Sequence, residues 1–139
     1  MQFAVQLPVD KVGLGDEFAS SQGITDCANH VEGTGFNACF VTDHPVPEDK
    51  WLATGGHHSF DPFVALTLAA SCTTRIKLMT NIVVLPYRNP FLVAKSATSL
   101  DVISNGRLIL GTGAGYLKGE FEALGIDMED RGQRMEDAY

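Results

Sequence analysis

Two apolar runs dominate the hydrophobic pattern, and neither alternates with polar residues. Ile76 to Leu85 is nearly continuous, and Leu108 to Leu110 leads into the triplet Gly111, Gly113 and Gly115. Runs of this kind are buried on both faces in parallel sheets. Between them Asn89-Pro90 signals a helix start, with Val93, Ala97, Leu100 and Ile103 on one face, and Asn105-Gly106 closes that segment. Strand, helix and strand make one right-handed βαβ unit, whose chemistry gathers at the carboxyl ends of its strands.

The rest of the chain extends this rhythm. Phe3 to Pro8 is a short strand stopped by proline, and Val9 to Gln22 is a polar, glycine-containing loop. Ile24, Ala28 and Val31 fall at helical spacing, with Gly33 and Gly35 ending that helix. Phe36 to Val41 is the next strand, delivering Thr42, Asp43 and His44 into a long loop. Asp61-Pro62 opens the helix Phe63 to Ser71, which leads into the strand Ile76 to Val84. Leu108 to Gly111 is the fourth strand, followed by a polar loop and a helix from about Asp130. Four successive βα units with no strand skipped fit half of a (β/α)8 barrel. A flavodoxin-like open sheet competes, and strand order separates the two: 1-2-3-4 for a barrel segment, a switch point for the open sheet. The chain is expected to be one domain over residues 1–139 without internal boundary, and a truncated one. Its last helix reaches Tyr139 with neither glycine nor proline after Arg134.

Composition narrows the function classes. With 139 residues, 45% of them hydrophobic, the chain can build one core of ordinary size. A net charge of −7 with scattered basic residues argues against nucleic acid. No apolar run reaches the roughly 18 residues of a membrane span, and the amino terminus lacks a basic signal region. Cys27, Cys39 and Cys72 form no CxxC pair and read as buried free thiols in a reducing cytoplasm.

Few residues offer chemistry. Asp43-His44 at the end of the second strand occupies what would be a catalytic rim, where histidine can move a proton near neutral pH. The plain alternative is an Asx-type turn in a proline-rich loop. GxGxG at 111–115 is not the dinucleotide fingerprint, but it presents backbone free of side chains to a flat ring or polar group, or else makes a tight barrel rim. His57-His58 beside two glycines reads as a solvated loop and not as a metal site. Trp51 reads as a lid or a loop anchor, and Arg131 and Arg134 as a solvated helix face.

FVTDHP at 40–45, TNIVVLPYRNPFLVAK at 80–95 and NGRLILGTGAGYLKGEFEALG at 105–125 together resemble the luciferase-like monooxygenase family, and most of all its branch that uses the deazaflavin coenzyme F420. The resemblance runs in order along essentially the whole chain and matches the amino-terminal half of the family's barrel. It implies an α/β fold of the luciferase-like TIM (β/α)8 type, present as a half-barrel of four strands. It further implies that Asp43 contacts the deazaflavin and that His44 handles a proton near the reactive ring carbon. Asn81-Ile82 matches a non-prolyl cis peptide whose bulge backs the ring. Val83 and Val84 continue that wall, and Ala114 and Gly115 match backbone contacts to the cofactor.

Two departures bear on substrate. Relatives acting on sugar phosphates carry a glutamate at the position of Tyr116 and an asparagine at that of Gly119, so glucose 6-phosphate is not assigned. The expected activity is hydride transfer between F420 and a small organic substrate in the cytoplasm. An FMN-dependent monooxygenase is the alternative. A second alternative is a non-catalytic half-barrel that self-associates, because its first and fourth strands are open edges and its apolar interior is exposed. On that ground a homo-oligomer is expected.

Overall fold

The computed structural model describes residues 1–14 and 17–139. Residues 15 and 16, within the expected Val9–Gln22 loop, lie outside the described residues. Strand β1 (Ala4–Gln6) is followed by a 3-10 turn at Val12–Leu14 and helix α1 (Ser21–Gly33). Strand β2 (Ala38–Val41) runs into a long loop that holds a short helix, α2 (Asp49–Ala53). Helix α3 (Pro62–Cys72), strand β3 (Lys77–Val84), helix α4 (Pro90–Ile103) and strand β4 (Leu108–Gly113) complete the regular alternation. Helices α5 (Lys118–Ala123) and α6 (Arg131–Asp137) close the chain.

All neighbouring strands pair in parallel in the order β1-β2-β3-β4. An order without a switch point is that of a barrel segment and excludes the flavodoxin-like sheet. Local chemistry explains the helix starts. Asp61 accepts from the N–H groups of Phe63 and Val64, with Pro62 in the first turn, and Asn89 does the same for Phe91 and Leu92 ahead of Pro90. Ser20 caps α1 by accepting from Gly23 N–H. Each cap satisfies helix N–H groups that have no carbonyl partner of their own.

The main core lies between the sheet and helices α1, α3 and α4, and a smaller cluster of Val84, Tyr87 and Phe121 forms beside it. Ile24 and Ala28 of α1, Leu66 and Ala69 of α3, and Val93 and Leu100 of α4 pack with Leu7, Cys39, Val41 and Leu78. Arg107, 7% exposed, ties the amino end of β4 to the end of α3. It donates to the carbonyls of Ala70, Thr73, Ile76 and Ser104 and to the Thr73 hydroxyl, at 2.7–3.1 Å. The carbonyls of Ala70 and Thr73 at the end of α3 and of Ser104 at the end of α4 are ones that a helix end otherwise leaves without partners.

Four expectations fail here. The run at Leu108–Leu110 is not buried on both faces, because β4 is an edge strand beside the uncovered barrel interior: Ile109 and Leu110 are 42% and 41% exposed. Ile103 leaves the face it shares in spacing with Val93, Ala97 and Leu100, and is 57% exposed at the last turn of α4. The stretch after Gly115 is not all loop, since Lys118–Ala123 is helical. Leu117 and Phe121 anchor it in the interior. In the last turns, Arg134 Nε donates to the Pro86 carbonyl and Arg131 to that of Met128, so neither arginine is merely solvated.

Candidate functional site

A cleft of about 400 Å³ opens at the carboxyl ends of β2, β3 and β4. Its floor arises from a fault in the sheet. Pairing of β3 with β4 proceeds from Leu78/Leu108 to Thr80/Leu110, breaks, and resumes at Val83/Thr112. The two residues inside the break are Asn81 and Ile82, joined by a cis peptide bond. They pass out of the ladder and line the cleft with Val84.

The opposite wall is backbone. Gly113 leaves the space that the Ile82 side chain occupies. Ala114 and Gly115 follow along the rim. Gly115 has φ +78°, a conformation glycine adopts without steric penalty, and a side chain there would meet Val84, Tyr87 and Phe121. Side-chain-poor backbone facing an isoleucine–valine floor makes a surface suited to a flat ring, and the cleft can hold one. The donor set fits as well, since backbone polar groups, Asn81, Asp43 and two histidines surround the apolar side chains of Ile82 and Val84.

Asp43 and His44 diverge at the end of β2. Asp43 is 4% exposed and both of its oxygens are engaged: Oδ2 accepts from Val84 N–H at 3.0 Å and Oδ1 from Arg88 at 2.8 Å. Arg88 also grips Asp61 at 2.9 Å, so it joins the β2 loop, α3 and the β3 exit. Burial pushes the Asp43 carboxyl above the ordinary carboxylate range, and Arg88 pulls against it. Asp43 lines the cleft while bracing its floor.

His44 turns the other way, into a cluster of rings. Trp51 lies with its ring centroid 4.5 Å away, His57 at 5.0 Å and Tyr116 at 6.2 Å. Trp51 and His57 also touch, at 5.3 Å. The loop carrying α2 is thus folded over His44, and Glu48 Oε1 latches it by accepting from Gly119 N–H at 2.9 Å.

Of the expected site residues, the structure brings Asp43, His44, Asn81, Ile82, Val84, Ala114 and Gly115 to one cleft. It does not bring Val83, which is fully buried in the helix-facing core. Two residues escaped the sequence reading. His57, expected in a solvated loop, lines the cleft against His44. Glu120, 1% exposed, lies beneath His44 and accepts from the Tyr87 hydroxyl at 2.9 Å. The signal for it was the spacing of Leu117, Phe121 and Leu124, a helical stripe that places Glu120 next to a core position.

Comparisons with known proteins agree with this architecture. The chain is 43% identical over 95 residues to limonene 1,2-monooxygenase of Rhodococcus erythropolis, covering 64% of this chain and 24% of that protein. The chain therefore spans about a quarter of that relative's length. The crystal structure of the monooxygenase RslO1 from Streptomyces bottropensis superposes with a TM-score of 0.84 at 28% identity, over 99% of this chain and 40% of that one. The coenzyme F420-dependent tetrahydromethanopterin reductase from Methanopyrus kandleri gives 0.66, also at 28% identity, over 91% of this chain and 30% of the reductase. The family model for luciferase-like monooxygenases matches residues 1–139. The chain belongs to the luciferase-like monooxygenase family, as an amino-terminal half-barrel of its TIM-type fold.

Proposed function

We propose that this chain supplies the ring-binding half of an oxidoreductase active site, in which a flavin-type ring rests on the Asn81–Ile82 bulge with its edge toward His44. The observation that carries this reading is the cleft itself: an apolar floor, a backbone rim at Ala114–Gly115 and a partly enclosed histidine at one end. Such a ring, when bound, supplies the redox chemistry, and the protein contributes position and electrostatics. Ile82 and Val84 support one face, and backbone at Ala114 and Gly115 approaches the rim. Asp43 holds Val84 in place through its N–H and Arg88, while Val83 backs the floor from within the core. His44 moves a proton to or from the substrate at the ring edge, and Trp51 and His57 keep water from that side of it.

Two cofactors suit this frame. Deazaflavin F420 with hydride transfer to a small organic substrate is supported by the likeness to the F420-dependent reductase. Reduced FMN with molecular oxygen, in a monooxygenase, is supported by the higher identity to limonene 1,2-monooxygenase and the higher TM-score to RslO1. The second has the stronger support.

Difference-absorbance titration of the full-length gene product with FMN and with F420 separates them. A perturbed FMN spectrum with no response to F420 favours the monooxygenase reading, and the reverse favours hydride transfer. An unchanged spectrum with both, from folded protein, overturns the proposal. Gly115→Val, whose side chain would collide with Val84, Tyr87 and Phe121 and push the rim out of place, is expected to weaken binding of either ring at least tenfold.

A further inference from the structure

Glu120 presents an unusual balance. Its carboxylate is 1% exposed, yet no arginine or lysine pairs with it among the described residues. A buried carboxylate without a cation must be held by hydrogen-bond donors. Two are present: the Tyr87 hydroxyl donates to Oε2 at 2.9 Å, and Val46 N–H approaches Oε1 at 3.4 Å. Burial and then Glu120 push the Tyr87 phenol well above its ordinary range, so Tyr87 remains a donor.

The third neighbour is His44. Its Nδ1 is buried without a hydrogen bond and lies 3.5 Å from Glu120 Oε1. An acceptor short of donors thus faces a ring nitrogen short of a partner. A closure of a few tenths of an ångström satisfies both, and hydrogen bonds in active sites are often that long before ligand binds. Were Nδ1 the unprotonated nitrogen, its lone pair would point at a carboxylate oxygen in a site shielded from water. That arrangement is repulsive at low dielectric.

We propose that Glu120, oriented by Tyr87 and Val46 N–H, is a positioning residue for His44: it accepts the Nδ1 proton and leaves Nε2 as the unprotonated nitrogen offered to the cleft. The histidine then stands ready to accept a proton from substrate without first changing tautomer. A second-neighbour acceptor fixes ring orientation and tautomer in many histidine sites by the same logic. The assignment rests on the reading of His44 as the proton-handling group.

Long-range 1H–15N correlation spectra of 15N-histidine-labelled protein, taken without cofactor and above the ordinary histidine range, read the tautomer directly. His44 is assigned by its loss in His44→Gln. The expected pattern is protonated Nδ1 and unprotonated Nε2 in the native protein, with a shift to the Nε2-protonated form, which free imidazole favours, in Glu120→Leu. An Nε2-protonated His44 in the native protein overturns the proposal and needs no variant to fold. An Nδ1-protonated pattern that persists unchanged in folded Glu120→Leu overturns it equally. The readout involves no ring cofactor: failure of both titrations with Nδ1 protonated would sink the redox reading alone.

Discussion

Thr80 and Gly111 exchange hydrogen bonds across the fault between β3 and β4: the Gly111 N–H donates to Thr80 Oγ1 at 2.9 Å, and that hydroxyl donates to the Gly111 carbonyl at 2.7 Å. Thr80 is fully buried, and its hydroxyl stands in for the ladder partners that Asn81 and Ile82 abandon as they leave the sheet. The bulge that shapes the cleft is therefore paid for, in hydrogen bonds, by one side chain.

Thr80→Val keeps the shape and removes the hydroxyl, leaving the partly buried N–H and carbonyl of Gly111 without that partner. The expected loss is about 2 kcal/mol of stability, read as a lowered denaturant midpoint with unchanged slope. Gly111→Ala is expected to cost more, on the order of 3 kcal/mol, because its new methyl collides with the Thr80 carbonyl oxygen, which is backbone and cannot rotate away. A Gly111→Ala protein as stable as the parent would show that the fault is loosely packed.

Gly119 makes room for the Glu48 carboxylate, and a side chain there would overlap it. Gly119→Ala is expected to expel Glu48, release the loop carrying α2 and uncover Trp51, the chain's single tryptophan. Steady-state fluorescence should shift to longer wavelength, with stability reduced by about 1 kcal/mol, the worth of one hydrogen bond. Emission identical to the parent would mean that Trp51 is held by its contacts with His44 and His57 alone.

Glu32 offers a pH dependence of definite direction. Its carboxylate accepts from the N–H groups of Thr74, Arg75 and Ile76 at 2.7–3.2 Å, at the entrance to β3. Burial pushes the carboxyl up, but the bonds from Ile76, Arg75 and Thr74, helped by the Arg75 charge, override it and the net value lies below the ordinary one. A depressed carboxyl stabilises the fold above its unfolded value, about 4.3 for glutamate, and that contribution is lost as pH falls through the lower folded value. Glu32→Gln should thus be less stable at neutral pH and show a flatter decline of the denaturant midpoint in that acidic window. Parallel curves for the two proteins would remove Glu32 from the acid response.

Much of the frame was legible in the residues. Asp61-Pro62 and Asn89-Pro90 carry their own capping chemistry, so α3 and α4 begin where local hydrogen bonding dictates. The core stripe Ile24, Ala28, Val31 is set by helical period. Exposure at Ile109 and Leu110 was not legible. Burial of a strand depends on what covers it, and an apolar run reads the same beneath helices or on an open face.

The site divides in the same way. Sequence alone determined the four βα units, the glycine rim at 111–115 and the presence of Asp43-His44 at a strand end, because each follows from short-range spacing and backbone preference. Tertiary structure decided that the two neighbours serve different ends, Asp43 bound to Val84 and Arg88, and His44 enclosed by Trp51 and His57 above Glu120. Those partners are separated from one another by up to 76 positions along the chain (120 − 44). Only the folded sheet and the returning α5 bring them within a few ångströms, where desolvation turns a carboxylate and an imidazole into one another's natural partners.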